Sequence, residues 1–384
     1  MQQGGSGGPL PRVAVAVWGD PIAPGVLEYL KSSSNVSFCA QMVDVPAMDR
    51  LEKWGASGLI APLIRPGWIP RLKKHGLRVV NTSGTLAKTG LPTVRSDDLA
   101  VGRLAAEHLL SLGFRHFAFL GPRFCDAAQL RRQGFVRRLA DDGARCTSLM
   151  LPKGCHPLND PASTHEKLAR WVCELPRPIG VLAATDACAK SLTEICHAVG
   201  VRVPEDLALV GVGNQDLYCQ FSIPPLSSVD VQSGQLGYQA AALMCRLLKG
   251  DKPPHGPILV APRGVVQRQS TDVLAIEDPL VARALRAIRQ SVGKPVSIKQ
   301  LVQDMDVSRR TLERRFFQVL SRSLHDEMLR VRLEQTKTLL TETDLPLADI
   351  SRRCGFSYRT RMCSVFRDAT GLSPGAYRKK FHRG

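Results

Sequence analysis

Arginines recur with helical spacing in a short segment near the end of this 384-residue chain. Arg310 and Arg314 are four residues apart, so both would lie on one face of a helix, together with Arg309 and Glu313. Guanidinium groups form paired hydrogen bonds to O6 and N7 of guanine, or to phosphate oxygens. The spacing therefore favours contact with a polyanion, and duplex DNA in particular.

A second segment, about 50 residues later, repeats this pattern. Gly355 permits the left-handed turn that ends a helix, and Ser357 is predicted to cap the helix that follows. Met362 and Phe366, four residues apart, would face the core. The polar side chains left facing outward would be Arg359, Thr360, Arg361 and Ser364.

Each arginine segment follows a short helix and a tight turn, which is the arrangement of a helix-turn-helix unit. In the first unit, Ser297 and Ser308 are predicted to cap the two helices. A longer helix, predicted at residues 323–340, could hold both units so that their second helices enter successive major grooves, about 34 Å apart. Any single arginine could instead contact a phosphate or only solvent.

The placement of charge agrees with a polyanion partner. The net charge is +18, and residues 279–384 hold 22 Lys and Arg against 10 Asp and Glu, a net of +12. Two thirds of the excess therefore lies in the last quarter of the chain. Such clustering is typical of nucleic-acid binding, although a solubilising surface is the alternative that charge alone leaves open.

The preceding region predicts an α/β fold. Strands are predicted at residues 13–17, 58–60, 78–80, 116–120, 144–150, 179–182 and 208–212, and helices at 24–31, 96–112, 127–140, 162–173, 187–199 and 232–248. Ser96 is predicted to cap the second of these helices. This alternation favours parallel sheets covered on both faces, and a split near residues 112–121 would divide them into two lobes.

The predicted domains follow from these patterns. They are a flexible tail at residues 1–10, a two-lobed ligand-sensing domain at 11–270, a linker at 271–279 and an all-α DNA-binding domain at 280–384.

The absence of a signal-peptide pattern and of a long apolar run predicts a cytoplasmic protein without membrane contact. The 11 cysteines form no C-x-x-C pair, so reduced thiols are expected. No metal, cofactor or catalytic motif is recognised, and an enzyme is not expected.

The last domain resembles the AraC/XylS family of regulators. The residues that carry the resemblance are Gly355-Phe356-Ser357, Phe366-Arg367, Gly371-Leu372-Ser373-Pro374 and Tyr377-Arg378, and it covers residues 280–383. It implies that DNA is read by two helices of one domain, at Arg310, Arg314, Arg359, Thr360 and Ser364. Some members of the family carry a basic residue where Ser364 stands.

The front half resembles LacI-type regulators and periplasmic sugar-binding proteins, in the stretches Ala184-Thr185-Asp186-Ala187, Val203–Leu207, Leu226–Val229, Gly237–Ala241 and Arg268–Asp272. In such folds a ligand lies between the lobes, at the carboxyl ends of the strands. The predicted ligand contacts are Trp18, Asp20, Asp97, Asp98, Arg131, Asp186 and Asn214. The resemblance gives Arg131 and Asp186 the strongest positions, whereas relatives often carry an acid where Gly213 stands.

The order of the domains is similar to that of xylose operon regulators. The resemblance implies a transcriptional activator of carbohydrate catabolism genes, controlled by a sugar such as xylose and acting as a homodimer on a DNA operator. RNA polymerase is a further candidate partner. Two alternatives stay open: a constitutive regulator with a degenerate pocket, which the glycine at position 213 would favour, and a sugar-binding protein with an accessory DNA domain.

Overall fold

The structure of the chain, a computed structural model, divides into two compact units. It describes residues 10–16, 21–32, 36–41, 51, 53–152, 161–273, 275–276, 278–290, 298–303, 305, 307–320 and 322–381. Unit 1 contains residues 1–273 and unit 2 contains residues 274–384. Each unit has its own buried core, and the α/β class of the first and the helical class of the second agree with the sequence-based predictions.

Unit 1 consists of two lobes, each built on a parallel sheet. Lobe 1 has the strand order β2-β1-β3-β4, with β1 at Arg12–Ala16, β2 at Ser37–Gln41, β3 at Ala56–Ala61 and β4 at Arg78–Asn81. Helices α1 (Ala23–Lys31) and α2 (Trp68–Lys74) follow β1 and β3. A short parallel pair, β5 (Val94–Ser96) and β11 (Ile258–Val260), is joined to β4 by a bridge between Asn81 and Thr93.

Lobe 2 is built on six strands in the order β12-β10-β9-β8-β6-β7. The strands are β6 (His116–Pro122), β7 (Cys146–Leu151), β8 (Ile179–Ala183), β9 (Leu207–Val212), β10 (Ser227–Asp230) and the antiparallel β12 (Gly264–Val266). Its helices are α3 (Asp98–Ser111), α4 (Asp126–Asp141), α5 (Pro161–Glu174), α6 (Asp186–Ala198) and α7 (Asp216–Phe221). Strand β8 is buried along its whole length, as expected for a central parallel strand.

The division between the lobes differs from the predicted split near residues 112–121. Helix α3 packs on α4 in lobe 2, while α8 (Ser233–Leu248) returns to pack on α1 in lobe 1. The chain therefore passes between the lobes three times, before α3, before α8 and before β12. Gly102 explains where α3 belongs: a Cβ there would lie 2.0 Å from the carbonyl oxygen of Arg131, so only glycine lets α3 and α4 pack this closely.

Two predicted helix caps were wrong, and in both helices the cap is the residue that follows the predicted serine. Helix α3 is capped by Asp97, whose Oδ1 accepts a hydrogen bond from the Ala100 N–H at 3.1 Å, whereas the Ser96 hydroxyl donates to Asp98. The cap position of the helix Arg359–Thr370 is Tyr358, without a side-chain cap bond, and not Ser357. Tyr358 has extended backbone geometry, and Asp97, with φ −75° and ψ 89°, also lies outside the helical region, so each residue takes the cap position.

The connection between the units begins inside unit 1. Ser270 and Thr271 of a short 3-10 helix, Gln269–Thr271, are buried there. The Ser270 hydroxyl donates to the Leu209 carbonyl at 2.6 Å and accepts from the Ser227 N–H at 2.8 Å. Thr271, the first residue of the predicted linker, is fully buried and bonds the Ser227 hydroxyl.

Unit 2 is helical throughout its described residues. Its helices are α9 (Pro279–Gln290), α10 (Ile298–Gln303), α11 (Arg309–Leu320), α12 (Leu324–Glu342), α13 (Leu347–Arg353), α14 (Arg359–Thr370) and α15 (Pro374–Phe381). They form two cores, one around Phe316 and one around Phe366. The predicted cap Ser297 lies outside the described residues.

Candidate functional site

The first helix-turn-helix unit is formed by α10 and α11. The Ser308 hydroxyl accepts a hydrogen bond from the Thr311 N–H at 3.1 Å, which satisfies a backbone donor at the start of α11 as predicted. Leu312 and Phe316 are fully buried and fix the inner face of α11 against α9 and α10. The opposite face is thereby turned outward.

The outward face of α11 carries the predicted DNA-contacting residues. Arg309 forms a 2.8 Å ion pair with half-buried Glu313, so its charge is partly compensated. Arg310 and Arg314 are exposed, and no carboxylate among the described residues pairs with either. Their guanidinium donors are therefore free to exchange water for the acceptor atoms of bases or phosphates.

The second helix-turn-helix unit is formed by α13 and α14. Gly355, with φ +74°, adopts the left-handed conformation that the turn requires. Met362 and Phe366 are fully buried, and the Phe366 ring meets the Tyr377 ring edge-on at 5.1 Å between centroids. Four predicted contact residues are exposed: Arg359, Thr360, Arg361 and Ser364.

Helix α12 holds the two units together. It begins with a capping box, in which the Ser323 hydroxyl accepts from the Asp326 N–H at 3.1 Å and the Asp326 carboxylate accepts from the Ser323 N–H at 3.3 Å. Leu324 near its start packs in the first core, and Leu340 near its end packs in the second. The two outward faces therefore belong to one continuous helical frame.

Unit 1 carries a second candidate site, a buried cluster of charges at the carboxyl ends of the lobe 2 strands. Asp98 is almost fully buried and lies between Arg95 and Arg131, with ion-pair distances of 2.8 and 2.7 Å. Arg95 also pairs with Asp126 at 2.7 Å. Burial alone would lower the pKa of Arg95, but its hydrogen bonds to Asp126 and Asp98 raise it. Arg95 therefore stays charged between the two carboxylates.

The cluster continues to the start of α6. Arg131 donates to the Ala184 carbonyl at 2.5 Å, and Asp186 is buried two residues further along. The Asp186 carboxylate accepts from the Ser228 hydroxyl at 2.6 Å and from the Gln215 N–H at 2.9 Å. Burial raises the pKa of Asp186, and these hydrogen bonds oppose the rise.

Asn214 lies beside Asp186, in a loop of unusual backbone geometry. Asn214 has φ +50°, and its side-chain oxygen accepts from Arg268 at 2.8 Å. Gly213 has φ +129°, and a Cβ built there would lie 3.1 Å from the Asp186 carboxylate. The loop between β9 and α7 therefore presents backbone and amide groups next to a buried carboxylate.

The predicted ligand contacts occupy different positions in this structure. Asp98, Arg131, Asp186 and Asn214 lie in or beside one polar network of lobe 2, whereas Asp97 caps α3. Trp18 and Asp20 lie outside the described residues. Sequence reasoning missed the partners that hold the network: Arg95, Asp126, Gln215, Ser228 and Arg268. Most of these partners are more than 25 residues from the group they bind, so local spacing gave no signal.

Among the described residues, no helix is long and apolar enough to span a membrane. Nor do they contain a group of three His, Cys, Asp or Glu that could hold a metal ion.

Two family models match this chain. Residues 106–271 match a periplasmic binding protein-like domain, and residues 301–380 match a helix-turn-helix domain. Fold and matches together define a DNA-binding transcription regulator in which a ligand-sensing α/β domain precedes the DNA-binding domain.

Relatives match nearly the full length. The xylose operon regulatory protein of Escherichia coli K12 is 31% identical over 93% of this chain and 93% of the relative. That of Haemophilus influenzae is 27% identical, over 94% and 95%. A solved structure of the xylose-binding transcription activator xylR is similar with a TM-score of 0.60 and 28% identity, covering 97% of this chain and 98% of that one. The chain belongs to the family of xylose operon regulatory proteins.

Proposed function

We propose that this chain is a sugar-controlled activator of carbohydrate catabolism genes, acting as a cytoplasmic homodimer without enzymatic activity. The observation that carries the proposal is the polar network of Asp98, Arg131 and Asp186 at the carboxyl ends of the lobe 2 strands. Carboxylates and guanidinium groups held in fixed positions are suited to the paired hydroxyls of a sugar. The relatives named for xylose support a pentose as the first ligand to test.

Protein groups hold the charged side chains of this polar network in place, as a ligand site requires. Its charges are neutralised by neighbours within unit 1, so the site can persist without ligand. A sugar that bridges the two lobes would lower the free energy of their closed arrangement. Activation then requires that the sugar bind one DNA-binding arrangement of the dimer more tightly than the other.

Titration of the full chain with D-xylose, D-ribose, L-arabinose and D-glucose by calorimetry tests the sensor. We expect one of the pentoses to bind, and the same sugar to change the affinity for a duplex selected from a random pool by the full chain. Sedimentation of the protein with that duplex measures whether two chains bind per site. Transcription from a promoter carrying the selected site, with purified RNA polymerase, then measures activation.

Substitutions at two adjacent arginines distinguish a loss of the ligand site from a general effect on the protein. Arg131→Lys retains a positive charge near Asp98 but removes the paired donors, so we expect sugar affinity to fall at least about tenfold. Arg132→Lys is the matched control, because Arg132 bonds neither Asp98 nor Ala184. Absence of binding for every sugar, with unchanged DNA binding, would favour a constitutive regulator with a degenerate pocket.

A further inference from the structure

Lobe 1 contains a long segment without any acidic residue. Residues 53–96 hold eight Lys and Arg and no Asp or Glu, whereas residues 97–230 hold 14 Lys and Arg against 15 Asp and Glu. The positive charge of the ligand-sensing unit is thus concentrated in one stretch of lobe 1. The helix-turn-helix domain is a separate unit and does not account for this charge.

The fold brings six of these side chains to the surface around α2. They form the lobe 1 basic face: Arg65, Arg71, Lys73, Lys74, Arg78 and Lys88, all exposed. Helix α2 buries Trp68 and Leu72 against the sheet, which leaves its basic residues facing outward. A Cβ built at Gly90 would lie 3.7 Å from the Lys73 ammonium nitrogen, so α2 and the loop that carries Lys88 are neighbours.

The lobe 1 basic face forms no ion pair with a carboxylate in the part of the chain that the structure describes. Among the described residues, no Asp or Glu pairs with any of its six side chains, whereas in lobe 2 Arg103, Arg138 and Arg202 each pair with a carboxylate. The helix dipole favours cations in the last turn of α2, where Arg71, Lys73 and Lys74 lie. The helix dipole does not explain the presence of Arg65, Arg78 and Lys88, which lie outside α2.

We propose that the lobe 1 basic face is a second DNA-contact surface, which binds the phosphate backbone of the duplex held by the helix-turn-helix domain. A continuous chain tethers this face to a DNA-bound domain, so duplex phosphates are present at high effective concentration. The aromatic residue of α2, Trp68, is buried, so the face offers no stacking platform for single-stranded bases. Contacts of this kind are independent of base sequence and depend on salt.

The test uses the full chain with four charges removed: Arg71→Gln, Lys73→Gln, Lys74→Gln and Arg78→Gln. Its affinity for a mixed-sequence duplex of about 80 base pairs, roughly eight helical turns, is measured by fluorescence anisotropy over a series of salt concentrations. Each lost phosphate contact should reduce the slope of log affinity against log salt by about 0.9, so a reduction of about 1–4 is expected. The affinity at low salt should fall at least about tenfold.

The matched control removes the same number of charges from other surfaces of unit 1: Arg103→Gln, Arg138→Gln, Arg202→Gln and Arg246→Gln. Each of these arginines faces a carboxylate, so little change in the salt slope is expected. Thermal unfolding of both variants establishes that they are folded, since surface substitutions usually change stability little.

The salt dependence of DNA affinity, measured on several unrelated DNA sequences, decides whether the proposal holds. Equal weakening on several unrelated sequences supports a backbone contact. The proposal is overturned if the quadruple variant and the control have the same slope and affinity. It is also overturned if DNA binding is unchanged while the variant loses binding to vesicles containing phosphatidylserine, or loses transcription activation by RNA polymerase. Either result would assign the basic face to another anionic partner.

Discussion

Arginine has opposite environments in the two units of this protein. In unit 1, Arg95 and Arg131 have side chains only 10% and 13% exposed, and both bind the buried carboxylate of Asp98. In unit 2, Arg310 and Arg314 are exposed, and no described carboxylate pairs with them. A buried charge is tolerated only when it is paired, whereas an exposed one can exchange water for phosphate or base atoms. Burial and pairing, more than residue type, therefore decide whether an arginine stabilises a site or binds DNA.

The largest expected effect is the loss of the carboxylate between the two buried arginines. Asp98→Ala leaves Arg131 without its carboxylate and Arg95 with Asp126 alone, and it should destabilise unit 1 by about 3–5 kcal/mol. Chemical denaturation followed by circular dichroism measures this. Asp97→Ala is the control, since it removes only the cap of α3 and should cost about 1 kcal/mol. Similar losses of stability for Asp98→Ala and Asp97→Ala would contradict the contrast between buried and exposed groups.

The DNA-binding unit has a buried carboxylate of its own, which sharpens the comparison. Glu327 is fully buried, with ion-pair distances of 2.8 Å to Arg322 and 2.7 Å to Arg330. Because these arginines are more exposed than Arg95, Glu327→Ala should cost less, about 2–3 kcal/mol. Glu334→Ala, which breaks an exposed pair with Lys337, should cost less than about 0.5 kcal/mol in the same denaturation experiment. An equal loss of stability for Glu327→Ala and Glu334→Ala would rule out burial as the cause of the larger loss expected at Glu327.

The exposed arginines should matter for DNA affinity and not for folding. Arg310→Ala is expected to weaken binding to the selected duplex by about 1–3 kcal/mol and to relax specificity at one base position. Thr360, its counterpart 50 residues later, has a single hydroxyl, so Thr360→Ala should cost about 0.5–1.5 kcal/mol. Anisotropy titrations with single-base variants of the duplex measure both. If Arg310→Ala weakens binding equally on every sequence, Arg310 contacts a phosphate.

The smallest effect is expected for the exposed ion pair on α11. Glu313→Gln should change the stability of unit 2 by about 0.3–0.5 kcal/mol at most, because an exposed helical pair is worth little. It should also tighten DNA binding slightly, since Arg309 is released and one anion is removed from the DNA-facing surface. Denaturation and anisotropy titrations test the two parts separately. A marked loss of DNA affinity would instead show that Glu313 itself accepts a hydrogen bond from a base.

Most helices of unit 2 were predictable to within two residues. The sequence predicts helices at residues 308–320, 358–370 and 374–381; α15 agrees with the last of these at both ends, and α11 and α14 each begin one residue later than predicted. Regular spacing of large apolar residues and a serine or glycine at many of the boundaries make such helices visible in the sequence. Short elements of unit 1 were missed, including β2, β5 and α7, because few residues carry their pattern.

The sequence alone determined the class of this protein, since apolar periodicity and the arginine spacing are local properties of the chain. It also named four polar residues that lie in or beside the network of lobe 2: Asp98, Arg131, Asp186 and Asn214. Only the tertiary structure decided which of them meet: Arg131 reaches Asp98 from 33 residues away and the Ala184 carbonyl from 53 residues away. It likewise assigned α3 to lobe 2 and exposed the basic face around α2. Pairing across such distances depends on how helices pack on sheets, which local periodicity does not specify.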